Sequence, residues 1–160
     1  RGETFVTRKI TRGLTRIHFG IQEYLKMGNL DSLRDWGHAK DYVEMQWRML
    51  QQKEPEDYVI ATGTQCSVRK FIEICAIKLG WEGLDWEGEG IHEIGKRRDN
   101  GKIVIKVDES LFRPAEVETL LGDASKAYSK LGWEPTYEID DLVSEMIEND
   151  LKMAKEESIL

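Results

Sequence analysis

The sequence predicts an α/β fold, a small, mixed and helix-rich lobe, and three observations predict it. Apolar residues recur at helical spacing over most of the chain, while runs with β-strand character are few, short and scattered. No strand candidate passes through a G-x-G-x-x-G turn into a helix, so no dinucleotide-binding unit is visible. A chain of 160 residues is long enough for one domain with its own core. This set of elements suits one lobe better than a complete doubly wound domain.

The elements follow in chain order. Over residues 4–20, Val6, Ile10, Leu14 and Ile17 fall near helical spacing, with Gly13 weakening the middle. Residues 23–27 form a short strand candidate closed by Gly28-Asn29. Then comes a turn-rich stretch, NLDSLRDWGH, that delivers an arginine, an aspartate and a tryptophan just ahead of a helix. On that helix Ala39, Val43, Trp47 and Leu50 mark one apolar face, ending before Pro55. Residues 57–61, DYVIA, read as a strand. Ser67 caps a helix whose buried face is Val68, Phe71, Ile72, Cys75 and Leu79, stopped by Gly80. Residues 81–101 are glycine-rich with no period, which predicts a loop. Ile103, Ile105 and Val107 alternate as in a strand, and residues 114–121 read as a turn or short helix. A short helix over residues 123–131 ends at Gly132. A terminal helix carries Ile139, Leu142, Val143, Met146, Ile147 and Leu151 as a stripe, with Asp140 and Asp141 in its first turn.

Composition narrows the function. A net charge of −7 argues against a non-specific nucleic-acid partner, since neutralising phosphates takes clustered cations in excess of local anions. It leaves room for a small anion held by a few arginines. No apolar run approaches the ~20 residues of a membrane span and the N-terminus shows no apolar signal core, so a cytoplasmic protein without a membrane partner is expected. Cys66 and Cys75 lack C-x-x-C spacing and read as reduced, structural thiols. His18, His38 and His92 are isolated, so no metal site is expected.

What remains is a set of cations at element junctions. Arg8 and Lys9 sit in the first helix beside Val6 and Ile10. Arg34 precedes Asp35-Trp36-Gly37; Asp35 can orient its guanidinium and Trp36 can wall it off from water, which suits a diphosphate, although a structural Arg-Asp pair fits the pattern equally. Arg113 is pinned at a turn by Pro114, with Glu116 three residues on. A cation for phosphate and a carboxylate for an amide edge make a nucleotide-reading pair, and a local ion pair would look identical. Lys96-Arg97-Arg98 lies among acidic residues and reads as a solvated charge run.

The segments ETFVTRKITRG, MGNLDSLRDWGHAKDYV, EDYVIATG with SVRKF after it, VDESLFRPAEVETLLGD and KLGWEP, in that order, resemble the C-terminal portion of the GDP-mannose 4,6-dehydratase family, within the extended short-chain dehydrogenases. The resemblance covers essentially the whole chain; RDWGHAKDYV and RPAEVETLLGD are its most specific motifs. It implies that residues 1–160 form the GDP-sugar-binding portion and that an N-terminal Rossmann domain holding NADP is absent from the chain. In this reading Arg34 and Arg113 grip the diphosphate and ribose of GDP-mannose, Lys9 belongs to the GDP-binding helix, Glu116 contacts GDP and Arg1 faces NADP. The parent would be a homo-oligomer, a dimer or tetramer. No catalytic group of the family matches a residue here, so the chain alone is expected to be inert. Leu111 replaces a usual aromatic, and Glu109-Ser110 a common Pro-Arg, which bears on the sugar end of the pocket. Another nucleotide-sugar epimerase or reductase, or a non-catalytic binding module, are the alternatives.

Overall fold

The computed structural model describes residues 2–159. Its first helix, α1 (Val6–His18), turns a buried face of Ile10, Leu14 and Ile17 inward, as their spacing predicts. Gly13 serves contact rather than flexibility there: a Cβ at that position would sit 2.8 Å from the Leu25 side chain, so the glycine lets α1 lie against the first strand. That strand, β1 (Leu25–Met27), pairs in parallel with β6 (Ile103–Val107), Leu25 opposite Ile105.

Between them in the chain, β2 (Leu33–Arg34) pairs with β3 (Cys66–Ser67), and α2 (Ala39–Leu50) intervenes. Ser67 caps α3 (Val68–Lys78) by accepting from the Lys70 amide at 3.0 Å. The amides of Val68 and Arg69 also donate to the carbonyls of Ser32 and Leu30, so the start of α3 is tied to the turn-rich stretch. α5 (Ile139–Ile159) packs along α1 and α3. The three helices and the sheet close one core around Leu14, Phe71, Ile72, Trp81, Ile105 and Val143. The α/β character of the sequence is therefore borne out.

Three local expectations are corrected. Residues 81–101 are not a loop: β4 (Leu84–Glu87) and β5 (Ile94–Arg97) form antiparallel ladders that continue through β6, giving the sheet order β1-β6-β5-β4. Each strand is only four residues long, and a register shift at Gly95/Lys96 breaks the alternation. The charge run inside it is only partly solvated: Arg97 pairs with Asp99 and lies over the Trp81 ring, 4.3 Å from its centroid. Residues 57–61 join no ladder among the described residues; Tyr58 and Ile60 pack inward while Val59 faces out. An apolar, β-rich run of five residues becomes a strand only where a neighbour supplies ladder bonds, and none pairs with it among the described residues.

Helix α2 also turns a different face inward from the one its stripe predicts. Val43, Trp47 and Leu50 point outward, and the face that packs is Tyr42, Met45 and Met49, against Ala127 of α4 (Ser125–Leu131) and Trp133. Asp41 joins this second cluster to the chain beyond it, accepting from Thr136 N, Thr136 Oγ1 and Tyr137 N at 3.1, 2.6 and 3.1 Å.

Candidate functional site

Four residues singled out by sequence line one cleft of about 340 Å3: Lys9 from α1, Arg34 from β2, and Arg113 and Glu116 from the segment after β6. They come from three stretches far apart in sequence. The separation begins on α1, where successive residues point about 100° apart. Arg8 turns to α5 and pairs with buried Asp150, which also accepts from Thr11 at 2.7 Å. Lys9 turns the other way, into the cleft, half-buried; burial pushes its ammonium below the ordinary lysine range, with Asp108 opposing.

Arg34 is held differently from the sequence expectation. Asp35 does not orient it: that carboxylate accepts from Thr62 N, Thr62 Oγ1 and Gly63 N at 2.9, 2.6 and 2.9 Å, fastening residues 62–63 beside β2. Trp36 packs edge-on against Phe71, 5.1 Å between centroids, rather than walling off the guanidinium. The orienting groups are the carbonyls of Leu33 and Val117, both at 2.8 Å, and Glu116 Oε1 at 2.9 Å. Arg34 therefore holds the segment after Arg113 against β2 while keeping a share of its five donors for the cleft.

Arg113 has the opposite setting. Its side chain is 77% exposed and approaches Glu116 only at 3.8 Å. Its backbone, in contrast, is fixed, because Asn29 Oδ1 accepts from the Arg113 amide at 2.9 Å and Asn29 Nδ2 donates to its carbonyl at 3.0 Å. Gly28 allows the approach, since a Cβ there would fall 2.2 Å from the Leu111 carbonyl oxygen. Just after β6, Asp108 is bonded to Lys26 and Ser110, which hold its carboxyl down to about 2.

The cleft shares Gly28, Asn29, Ser32, Arg113 and Glu116 with a second cavity of about 540 Å3 that is walled by Phe112, Pro114 and Glu118. Each volume falls within the range of about 300–1,000 Å3 common for small-molecule sites. A cationic cleft opening into a partly apolar, partly acidic cavity suits an elongated ligand with an anionic middle and a planar, hydrogen-bonding end. Asn29 and Ser32, which also line both cavities, were not singled out from the sequence; a turn-rich N-L-D-S gives no sign of which of its residues line a cavity. Arg1 lies outside the described residues. Among the described residues there is no group of three or more His, Cys, Asp or Glu able to hold a metal ion. None of the described helices is long and apolar enough to cross a membrane.

Fold defines the class first: the lobe is built like part of several solved enzymes. RMD from Pseudomonas aeruginosa, solved with NADPH, superimposes with a TM-score of 0.76 at 20% identity, over 96% of this chain and 44% of that one. UDP-glucose 4-epimerase from Thermotoga maritima gives 0.68 at 22% identity, over 95% and 41%. dTDP-glucose 4,6-dehydratase from Bacillus anthracis gives 0.70 at 16%, over 99% and 42%. At these identities the likeness is one of fold. Sequence narrows it further, for the profile of the GDP-mannose 4,6-dehydratase family matches residues 1–146, and the chain belongs to that family. A relative from Vibrio cholerae is 55% identical over the whole chain, and one from Homo sapiens 48% identical over 97% of it. The chain spans 45% and 41% of the length of these two.

Proposed function

We propose that this sequence is the GDP-sugar-binding part of a GDP-mannose 4,6-dehydratase, the enzyme that converts GDP-mannose to GDP-4-keto-6-deoxymannose by internal redox and loss of water. The observation that carries the proposal is the convergence of Lys9, Arg34 and Arg113 around Glu116 in one cleft. Lys9 and Arg113 supply charge to a diphosphate, and Arg34 adds a planar fork. Glu116 and the adjoining acidic cavity wall receive N–H groups of guanine. Binding energy gathered on GDP then orients the mannose for chemistry carried out elsewhere.

NADP is assigned to the part of the family's length that this chain does not span. No described strand runs through a glycine-rich turn into a helix N-terminus, so these residues do not fit a dinucleotide cradle. Arg1 is the one proposed contact to NADP from this side. The redox and dehydration steps accordingly lie outside this chain, which alone is inert. The parent protein is read as a cytoplasmic homo-oligomer.

The test is binding and turnover by the full-length protein with GDP-mannose, UDP-glucose and dTDP-glucose. Selective conversion of GDP-mannose is expected. Preference for either of the other two would move the protein to a different nucleotide-sugar enzyme, and binding without turnover of any would make it a binding module.

A further inference from the structure

The exposed cation of the cleft owes its place to a residue that makes no charge contact. We propose that Asn29 is a positioning residue for Arg113: its side-chain amide closes a two-bond ring with the Arg113 backbone and so sets where the guanidinium meets the ligand. The proposal rests on the reading of the cleft as a site for the diphosphate of a nucleotide-sugar.

The geometry carries it. Asn29 Oδ1 accepts from Arg113 N at 2.9 Å and Asn29 Nδ2 donates to Arg113 O at 3.0 Å. The backbone amide can only donate and the carbonyl only accept, so these two bonds admit one orientation of the Asn29 amide. The side chain thus performs for Arg113 what a neighbouring strand would do, at a point where no strand is available: β6 ends at Val107, and the chain passes through a single 3-10 turn, Glu109–Leu111, before reaching Arg113. Pro114 fixes the next φ and keeps Arg113 extended. Gly28, with the Leu111 carbonyl where its Cβ would stand, brings the two segments within reach.

The side chain of Arg113 has no comparable tether. It is 77% exposed, and its nearest carboxylate oxygen, on Glu116, is 3.8 Å away. Everything that places its guanidinium over the cleft therefore acts through its backbone, and Asn29 holds both hydrogen-bonding groups of that backbone. Arg34 needs no such device, being fixed by two carbonyls and Glu116.

The experiment is a double-mutant cycle in the full-length protein, with GDP-mannose affinity and kcat measured for the wild type, Asn29→Ala, Arg113→Ala and the pair. Asn29→Ala is expected to weaken binding by about tenfold with kcat kept, and to have no further effect once Arg113 is alanine, because coupled residues are non-additive. Hydrogen exchange at the Arg113 amide should quicken in Asn29→Ala. If that variant folds poorly, Asn29→Gln, with the same groups displaced by one methylene, takes its place. Equal weakening in both Arg113 backgrounds would overturn the proposal, since Asn29 would then contact the ligand or support the fold at large. Unaltered binding in Asn29→Ala beside a weakened Arg113→Ala would overturn it while leaving the cleft's function standing. An Arg113→Ala variant that binds normally would remove the site reading itself, and the inference with it.

Discussion

Arg34 and Arg113 enter the sequence as equivalent cations, and the structure divides their work. Arg34 carries a structural load through the Leu33 and Val117 carbonyls and Glu116, both side chains of the ion pair being 20% exposed. Removing it leaves the partly buried Glu116 carboxylate without its partner, at about 1–3 kcal/mol. Arg113 reaches only a distant carboxylate from an exposed position, an arrangement that contributes little to stability. Arg34→Ala is therefore expected to lower both Tm and ligand affinity, and Arg113→Ala to weaken GDP-mannose binding by more than about tenfold with Tm nearly unchanged. Calorimetric melting and binding titration of the two variants check this; a large Tm loss in Arg113→Ala would contradict it. A second residue-level expectation concerns acid. Asp108 is held down to about 2 by Lys26 and Ser110, against about 3.9 in an unfolded chain. A depressed folded pKa contributes stability above the unfolded value that is lost as pH falls toward the folded one. The Tm gap between wild type and Asp108→Asn should thus be full above about pH 4 and close as pH falls toward about 2.

At the scale of elements, the buried Asp41 is the joint between α2 and the chain leading into α5. Three donors from Thr136 and Tyr137 meet its carboxylate, and its carbonyl accepts from Trp133 Nε1 at 3.0 Å. Asp41→Ala strands those donors in a site only 5% exposed, so a loss on the order of 3 kcal/mol is expected in denaturant unfolding. Asp41→Asn, which keeps one acceptor oxygen, should lose less. The same region shows where the sequence was legible. Helices α1, α3 and α5 follow from long apolar stripes, with a serine cap on α3, because a stripe of several turns fixes its own phase. The α2 stripe fixed a helix but not its inward face: Tyr42, Met45 and Met49 make an equally apolar face, and only contact with Trp133 selects it. Strands β4 and β5 were missed because four residues with a bulge hold too little alternation to be seen. In the site, Lys9, Arg34, Arg113 and Glu116 were visible as charges at element junctions and through the family motifs. The partners of Arg34 were not, since carbonyls of Leu33 and Val117 carry no mark in a sequence.

For the molecule as a whole, the net charge of −7 and the cationic cleft are compatible, because many carboxylates are spent on local pairs such as Arg69 with Asp31 and Glu93. The apolar surface is less evenly settled. On α2 the residues Val43, Trp47 and Leu50 are 61%, 58% and 81% exposed, and Val59 of the unladdered segment is 52% exposed. A helix with apolar residues on two sides belongs between two layers, and the described residues supply one of them. Curated relatives are more than twice as long as this chain, which gives the family the material for a second layer. The isolated 160-residue chain should therefore bind an environment-sensitive hydrophobic dye and self-associate as concentration rises. Trp47→Glu should reduce both while shifting stability by no more than about 0.5 kcal/mol, as an exposed substitution does. A chain that stays monomeric and dark to the dye would show that this face is satisfied as it stands. A Trp47→Glu variant that unfolds would show instead that the tryptophan is packed.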